Sequence, residues 1–228
     1  MKNPQMLIQG PDGWWIAPEG AVIHVQQTVA VIADVHLGYE WARGSAGDMV
    51  PSHSLRQTIE RLSSLISHTT ISRLIVAGDL VESPKPCRRT TADLISLENW
   101  LQSQDVTLVR ILGNHDAWQE SNLPLEIEVA GWTVTHGHLP TNSHHVISGH
   151  DHPVLKHGRT SARCCLVGPK NIILPAFSEN AAGLNVAGRT IPRQWRNKSL
   201  SCFASVDKEV FDFGPIEQLV AKFSLIPT

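Results

Sequence analysis

The chain has 228 residues, enough for one large domain or two small ones, and 42% hydrophobic with 18% charged residues describes an ordinary soluble globular protein. The formal net charge of −2 excludes an overall basic field that would attract nucleic acid. No run approaches the roughly 18 apolar residues needed to span a bilayer, so no membrane partner is expected. The four cysteines, Cys87, Cys164, Cys165 and Cys202, form no CxxC pair. A disulfide framework is therefore not expected, and a reducing cytoplasm fits best. Residues Met1 to Gln9 lack the long apolar core of a signal peptide. The 12 histidines are in excess, and they recur in short motifs through the chain.

Trp14 to Gly20 reads as a strand and turn. Thr28 to Ala33 is apolar and β-branched, a buried strand of parallel-sheet type. Tyr39 to Val50, with its glycines, reads as a loop or a short irregular helix. After Pro51, Ser52 or Ser54 is placed to cap a helix carrying Leu55, Ile59, Leu62 and Ile66 at helical spacing. Arg73 to Ala77 is the next strand. Ser83 to Arg89, with two prolines, is a loop, and Thr91 then caps a helix with Leu94, Leu97 and Leu101 on its buried face. Val106 to Leu112 is a third strand, completing β-α-β-α-β with right-handed crossovers. From Leu125 strands follow without helices: Leu125–Val129, Trp132–Thr135, Val146–Ser148, Ala162–Val167, Ile172–Leu174 and Ser201–Val206. A last helix covers Ile216 to Phe223. Two sheets packed face to face with outer helices satisfy this order. No low-complexity linker separates the halves, so a single domain over residues 1–228 is expected.

Five bursts of Asp and His follow these strands. In a strand, residues i and i+2 share a face, so Asp34 and His36 can reach one ion from a strand's carboxyl end. Asp79 follows Gly78, where the backbone can turn sharply. Asn114 and His115 follow Gly113, and Asn114 offers a neutral amide oxygen. His136 follows another strand, and His150 and His152 repeat the i, i+2 spacing. Each is a weak signal alone, since a single Asp or His at a strand end is usually a structural hydrogen-bonder. The five in order point to a metal site.

Asp34-x-His36, Gly78-Asp79, Gly113-Asn114-His115-Asp116, His136-Gly137 and Gly149-His150-x-His152 resemble the signature of the calcineurin-like metallophosphoesterases. Asp34 to Glu40, and Leu174-Pro175-Ala176-Phe177 followed by Gly183, are similar to small bacterial and archaeal phosphoesterases associated with DNA ligase and helicase genes. The resemblance implies an α/β fold, a four-layer αββα sandwich of two mixed sheets, and two divalent metal ions. Asp34, His36 and His152 would bind the first, Asp79 would bridge, and Asn114, His136 and His150 would bind the second. Mixed N/O ligands suit Mn²⁺ foremost, or Fe, Zn²⁺ or Co²⁺, rather than Mg²⁺ alone. The implied reaction is attack of a metal-bridging hydroxide on a phosphate ester. His115 is then assigned as general acid, with Glu82 or Asp116 orienting it and keeping it protonated.

His138 is a candidate for the phosphate pocket, and one of His144 and His145 for its neighbourhood. His24, His53, His68 and His157 read as surface or structural residues. Arg43 follows the first motif beside Tyr39 and Trp41, and Lys85, Arg88 and Arg89 follow the second. Arg43, Arg88 and Arg89 are candidate substrate contacts. Residues 180–206 contain no acid but carry Arg189, Arg193, Arg196 and Lys198 around Trp195, a pattern that can track a nucleic-acid backbone and stack a base. The reading is a cytoplasmic phosphodiesterase, for which a nuclease of DNA repair with ligase or helicase partners is one candidate. The alternatives are a phosphomonoesterase or small-nucleotide phosphodiesterase, and a scaffold that has lost catalysis.

Overall fold

The computed structural model describes residues 6–116, 122–188, 192–195 and 199–224. The first sheet runs in chain order: β1 (Ile8–Gln9), β2 (Trp14–Ile16), β3 (Val22–His24), β4 (Val29–Ile32), β5 (Arg73–Ala77) and β6 (Thr107–Ile111). Its first four strands are antiparallel neighbours, and β4, β5 and β6 are parallel. Helices α1 (Tyr39–Ser45) and α2 (Ser54–His68) lie between β4 and β5, and α3 (Arg88–Ser103) between β5 and β6.

The second sheet contains β7 (Glu126–Val129), β8 (Trp132–Thr135), β9 (Val146–Ser148), β10 (Pro153–His157), β11 (Thr160–Val167), β12 (Asn171–Ile173) and β13 (Leu184–Asn185). Its order is β13-β10-β11-β12-β9-β8-β7. Strand β14 (Ser201–Val206) pairs with β11 and with β15 (Glu209–Pro215), and α4 (Ile216–Ser224) follows.

Strand alternation assigns the layers. In β4, Ala30 and Ile32 join Leu62, Leu65, Leu94, Leu97 and Leu101 of α2 and α3 in one core. The alternate residues Val29 and Val31 join Ile75, Trp132, Val134, Ile147 and Ile172 between the sheets. In β11, Cys165 faces that inter-sheet core, whereas Cys164 and Leu166 face Ile216 and Leu219 of α4. The result is the expected αββα sandwich of two mixed sheets. Among the described residues no helix is long and apolar enough to cross a membrane.

Several local expectations need correction. Helix α3 begins at Arg88, not after Thr91, with Cys87 at its N-cap. The two prolines of residues 83–89 favoured a loop through Arg89, but both, Pro84 and Pro86, precede the N-cap and leave the helix free to start at Arg88. The N-cap of α2 is His53, not a serine. Ser54 instead accepts from the Gly38 amide at 3.1 Å, and Ser52 donates to the buried Glu40 at 3.2 Å. Strands β1, β3, β10, β13 and β15 were not anticipated, being short or only weakly alternating.

Leu219 is fully buried where α4 closes the outer face of the second sheet. Leu219→Ala is expected to lower unfolding free energy by about 2–5 kcal/mol in urea melts. A loss below about 1 kcal/mol would contradict that packing.

Candidate metal centre

The first motif does not lie on a strand. Strand β4 ends at Ile32, and Asp34 and His36 both lie beyond it with φ of 57° and 52°. Asp79, His150 and His152 are also left-handed, at 51°, 67° and 46°. The i, i+2 spacing therefore works through a zigzag loop rather than through a strand's pleat. Left-handed backbone costs a non-glycine residue on the order of 1–3 kcal/mol, and it persists only where the surroundings enforce it.

Here the enforcement is a seam of backbone hydrogen bonds. The amides of Asp34, His36 and Leu37 donate to the carbonyls of Gly78, Asp79 and Leu80 at 3.1, 3.0 and 2.9 Å, and the Glu82 amide returns to Leu37 at 3.0 Å. The first two motifs thus run side by side. The third presses in from Gly113, where an added Cβ would lie 2.1 Å from Asp79 Oδ1. The fifth presses in from Gly149, where a Cβ would lie 2.5 Å from Asp34 Oδ2. The His150 amide donates to that same oxygen at 2.9 Å.

The side chains then converge in two groups. Around His136 Nε2 lie Asn114 Oδ1 at 2.9 Å, His150 Nδ1 at 3.2 Å and Asp79 Oδ2 at 3.3 Å. In the other, His152 Nε2 lies 3.1 Å from Asp34 Oδ1, with His36 beside them. Donors about 2.1 Å from one ion at right angles sit ~3 Å apart, so this spacing fits a cation between them. Buried atoms without a hydrogen-bond partner among the described residues point the same way, His36 Nε2 above all.

The outer contacts select which nitrogen faces inward. His136 Nδ1 donates to the Ala77 carbonyl at 3.0 Å and His152 Nδ1 to the Ala182 carbonyl at 2.9 Å. His36 Nδ1 lies 2.9 Å from Glu82 Oε2. Each ring is left with Nε2 as the free donor, the arrangement that orients metal-binding histidines. His36, Glu82 and His115 form a third close group, sharing His36 with the first.

Charge follows the same geometry. Burial opposes ionisation of Asp79, but the hydrogen bond and charge of His136, with the His115 amide, hold its carboxyl at about 2. Burial disfavours a charged His136, yet Asp79 and Asp34 raise it above its ordinary value. Asp34 likewise outweighs burial at His152 and raises it. Burial and the charge of His136 lower His138 and His150.

His115 Nδ1 donates to the Glu82 backbone carbonyl, leaving Nε2 toward the centre, 3.9 Å from Asp79 Oδ2. The expectation that a carboxylate of Glu82 or Asp116 orients this ring needs revision. The Glu82 carboxylate reaches His36 instead. Asp116 is fully buried, with Oδ1 accepting from Val81 N at 3.2 Å and Oδ2 from Gly113 N at 3.0 Å. Both of its oxygens are engaged in stitching the third motif to the second.

His138 stands at the rim, its ring 5.0 Å from that of His136. Arg43 is exposed and paired with Asp48. Arg89 lies over the Trp41 ring at 4.8 Å, and Arg88 is exposed beside it. His145 packs against Trp132. His24 is buried against Trp14, and His157 lies against Phe223. Trp195 does not offer a face for base stacking: it is buried, and its indole N–H donates to Asp151 at 2.7 Å. Gln194 takes the other Asp151 oxygen at 2.9 Å, so the pair anchors the His150–His152 loop. An Asp between two motif histidines was the available signal for this anchor. Arg193 is exposed, whereas Arg189, Arg196 and Lys198 lie outside the described residues.

Imidazoles, carboxylates and one amide gathered by loops at strand ends of an αββα sandwich define a metal-site protein of the phosphoesterase type. A family profile for the calcineurin-like phosphoesterases matches residues 27–172, and the chain belongs to that family. No curated protein sequence matches it. A nuclease MPE from Pseudomonas putida has a similar solved structure, with a TM-score of 0.71 and 22% identity over 92% of this chain and 100% of that one. That likeness supports the fold.

Two outcomes test this geometry. Gly113→Ala is expected to displace Asp79 and lower metal content to less than half of the wild-type value by elemental analysis; undiminished content would refute the crowding. Protons also compete for His136, whose raised value keeps it protonated further up the pH scale. Metal affinity in titrations should therefore fall as pH drops toward and below about 6.5. Pairing that favours the protonated ring stabilises the metal-free fold fully below the unfolded histidine value, and this contribution fades as pH rises through the higher folded one.

Proposed function

We propose that the chain is a two-metal phosphodiesterase acting on nucleic-acid strands. The observation that supports it best is the pair His136 and His152, each with Nδ1 on a backbone carbonyl and Nε2 toward a carboxylate, with His36 beside them held through Nδ1 by Glu82. Asp34, His36 and His152 would hold one ion, Asn114, His136 and His150 another, with Asp79 between them. Mixed nitrogen and oxygen donors suit Mn²⁺, with Fe, Zn²⁺ or Co²⁺ as alternatives. Such ions, when bound, supply the positive charge that clamps a phosphoryl group and activates water.

The chain's own residues would do the rest. The Glu82 carbonyl fixes the Nδ1 proton of His115, so a transferable proton on this ring resides on Nε2. That atom faces the donors, with the side chain one-third exposed, and would protonate the leaving oxygen. Glu82 orients His36 through Nδ1. Preference for a strand rests on openness: Asn114 and His150 are exposed, and Arg88 and Arg89 stand in the first turn of α3. A long ester can lie across such a rim. Action on a DNA strand would also accord with a role in repair.

One observation favours a smaller substrate. A cavity of about 300 Å³ beside His138 is lined by Leu125, Leu139, Pro140 and Asn142, a size and polarity that suit one nucleobase. Hydrolysis of bis-p-nitrophenyl phosphate, p-nitrophenyl phosphate and single-stranded DNA with Mn²⁺ separates these readings. Activity on the diester and the DNA is expected; turnover of the monoester alone would refute the diesterase. His115→Ala should keep its metals and slow turnover by about 10²–10⁴-fold. Loss of metal in that variant would make His115 a ligand instead.

A further inference from the structure

Away from the metal centre, a cleft of about 540 Å³ opens beside the exposed face of α2, and a lobe of about 320 Å³ continues it along the start of β11. Arg61, Arg163, Glu179 and Ser205 line both parts. The two guanidiniums donate to consecutive carbonyls, Arg61 to Phe177 and Arg163 to Ser178, which fixes them on one wall. Arg61 also lies over the Phe177 ring at 5.1 Å.

The acids of the cleft are already engaged. Glu179 pairs with Arg61 at 2.7 Å and accepts from Gln57 at 3.0 Å. Glu60 pairs with Arg56 at 2.8 Å. Glu19 accepts from Ser64 at 2.6 Å and lies 3.0 Å from His68. Arg163 makes no ion pair within 4.0 Å among the described residues, although the Glu179 charge acts on it, and Lys208 in the turn between β14 and β15 makes none either. Burial, with the neighbouring Arg61 charge, brings Arg163 down to about 10. It remains a cation at neutral pH, partly desolvated, with most of its five N–H donors unused.

We propose that this cleft is a binding site for a phosphate group, held by Arg61 and Arg163 with Lys208 and Ser205 at its edge. The Arg163 fork, the donors that Arg61 keeps beyond Glu179 and Phe177, an ammonium and a hydroxyl offer more than a carboxylate can accept, whereas phosphate presents four oxygens and up to two charges. The site is separate from the metal centre. The segment 178–183 stands between them, with the Ser178 amide on the Asp34 carbonyl at 3.0 Å and the Ala182 carbonyl on His152.

Calorimetric titration with inorganic phosphate tests this, in metal-loaded protein and in the same full chain held in chelator. One phosphate should bind in chelator, where the centre offers no ion. Arg163→Gln should weaken it by about tenfold or more, and Arg163→Lys by less, since it keeps the charge but loses the fork. Lys208→Gln, an exposed turn substitution, should weaken it a few-fold and decides the matter if the Arg163 variants fail to fold. Absence of phosphate binding in chelator, or wild-type affinity in both Arg163→Gln and Lys208→Gln, would overturn the proposal. Competition by single-stranded oligonucleotides distinguishes sources: a 5′-phosphorylated strand alone marks a terminal phosphate, both strands mark the backbone, and neither marks free phosphate.

Discussion

The amide of Asp34 donates to the carbonyl of Gly78, and the candidate centre is built outward from that bond. It starts a seam that holds residues 34–37 against residues 78–82. Because the seam takes the backbone polar groups at the strand ends, the chain can turn left-handed at Asp34 and His36 without leaving their amides unpaired. Glycines then let other loops approach. At Gly78 an added Cβ would lie 2.4 Å from the His136 ring, and at Gly149 it would lie 2.4 Å from Ala33 Cβ. Large side chains at these points would hold the motifs apart.

Crowding of this kind sets the electrostatics. Carboxylates and imidazoles lie about 3 Å apart in an interior where unpaired charge is costly. In the metal-free chain, Asp79 and Asp34 favour the protonated forms of His136 and His152. Divalent ions would replace those protons with stronger positive charge. The strained backbone, the buried Asp116 stitch and the Asp151–Trp195 anchor all serve to keep these donors from relaxing apart.

Much of this was legible in the residues. Apolar runs ending in Gly, Asp or His marked β4, β5 and β6 and the loops after them, because a buried parallel strand leaves a long hydrophobic signature. The layer order followed from the shift between helices and closely spaced strands. What stayed hidden was orientation. Spacing placed Asp34 and His36 on one side, but for a pleat rather than for two left-handed residues. Adjacency made Asp116 a natural support for His115, yet its side chain turns inward to amides of Val81 and Gly113. Nothing in the order of residues says that a backbone carbonyl, that of Glu82, takes the His115 proton. Trp195 among basic residues resembled an exposed stacking face, and only its hydrogen bond to Asp151 discloses an anchor.

Local fields also account for how a chain of net charge −2 can handle an anionic ester. The global balance repels weakly and is screened within about 10 Å at moderate ionic strength. What a phosphate meets at contact is set by nearby groups. Arg88 and Arg89 begin α3 on one side of the motif loops, and Arg61 and Arg163 stand behind the segment that supports Asp34 and His152. The acids that make the total negative are largely paired or buried, as Glu19, Glu40, Glu60, Asp116 and Glu179 are. Arg88 and Arg89 on one side, and Arg163 beside Arg61 on the other, give local positive charge without making the whole surface basic.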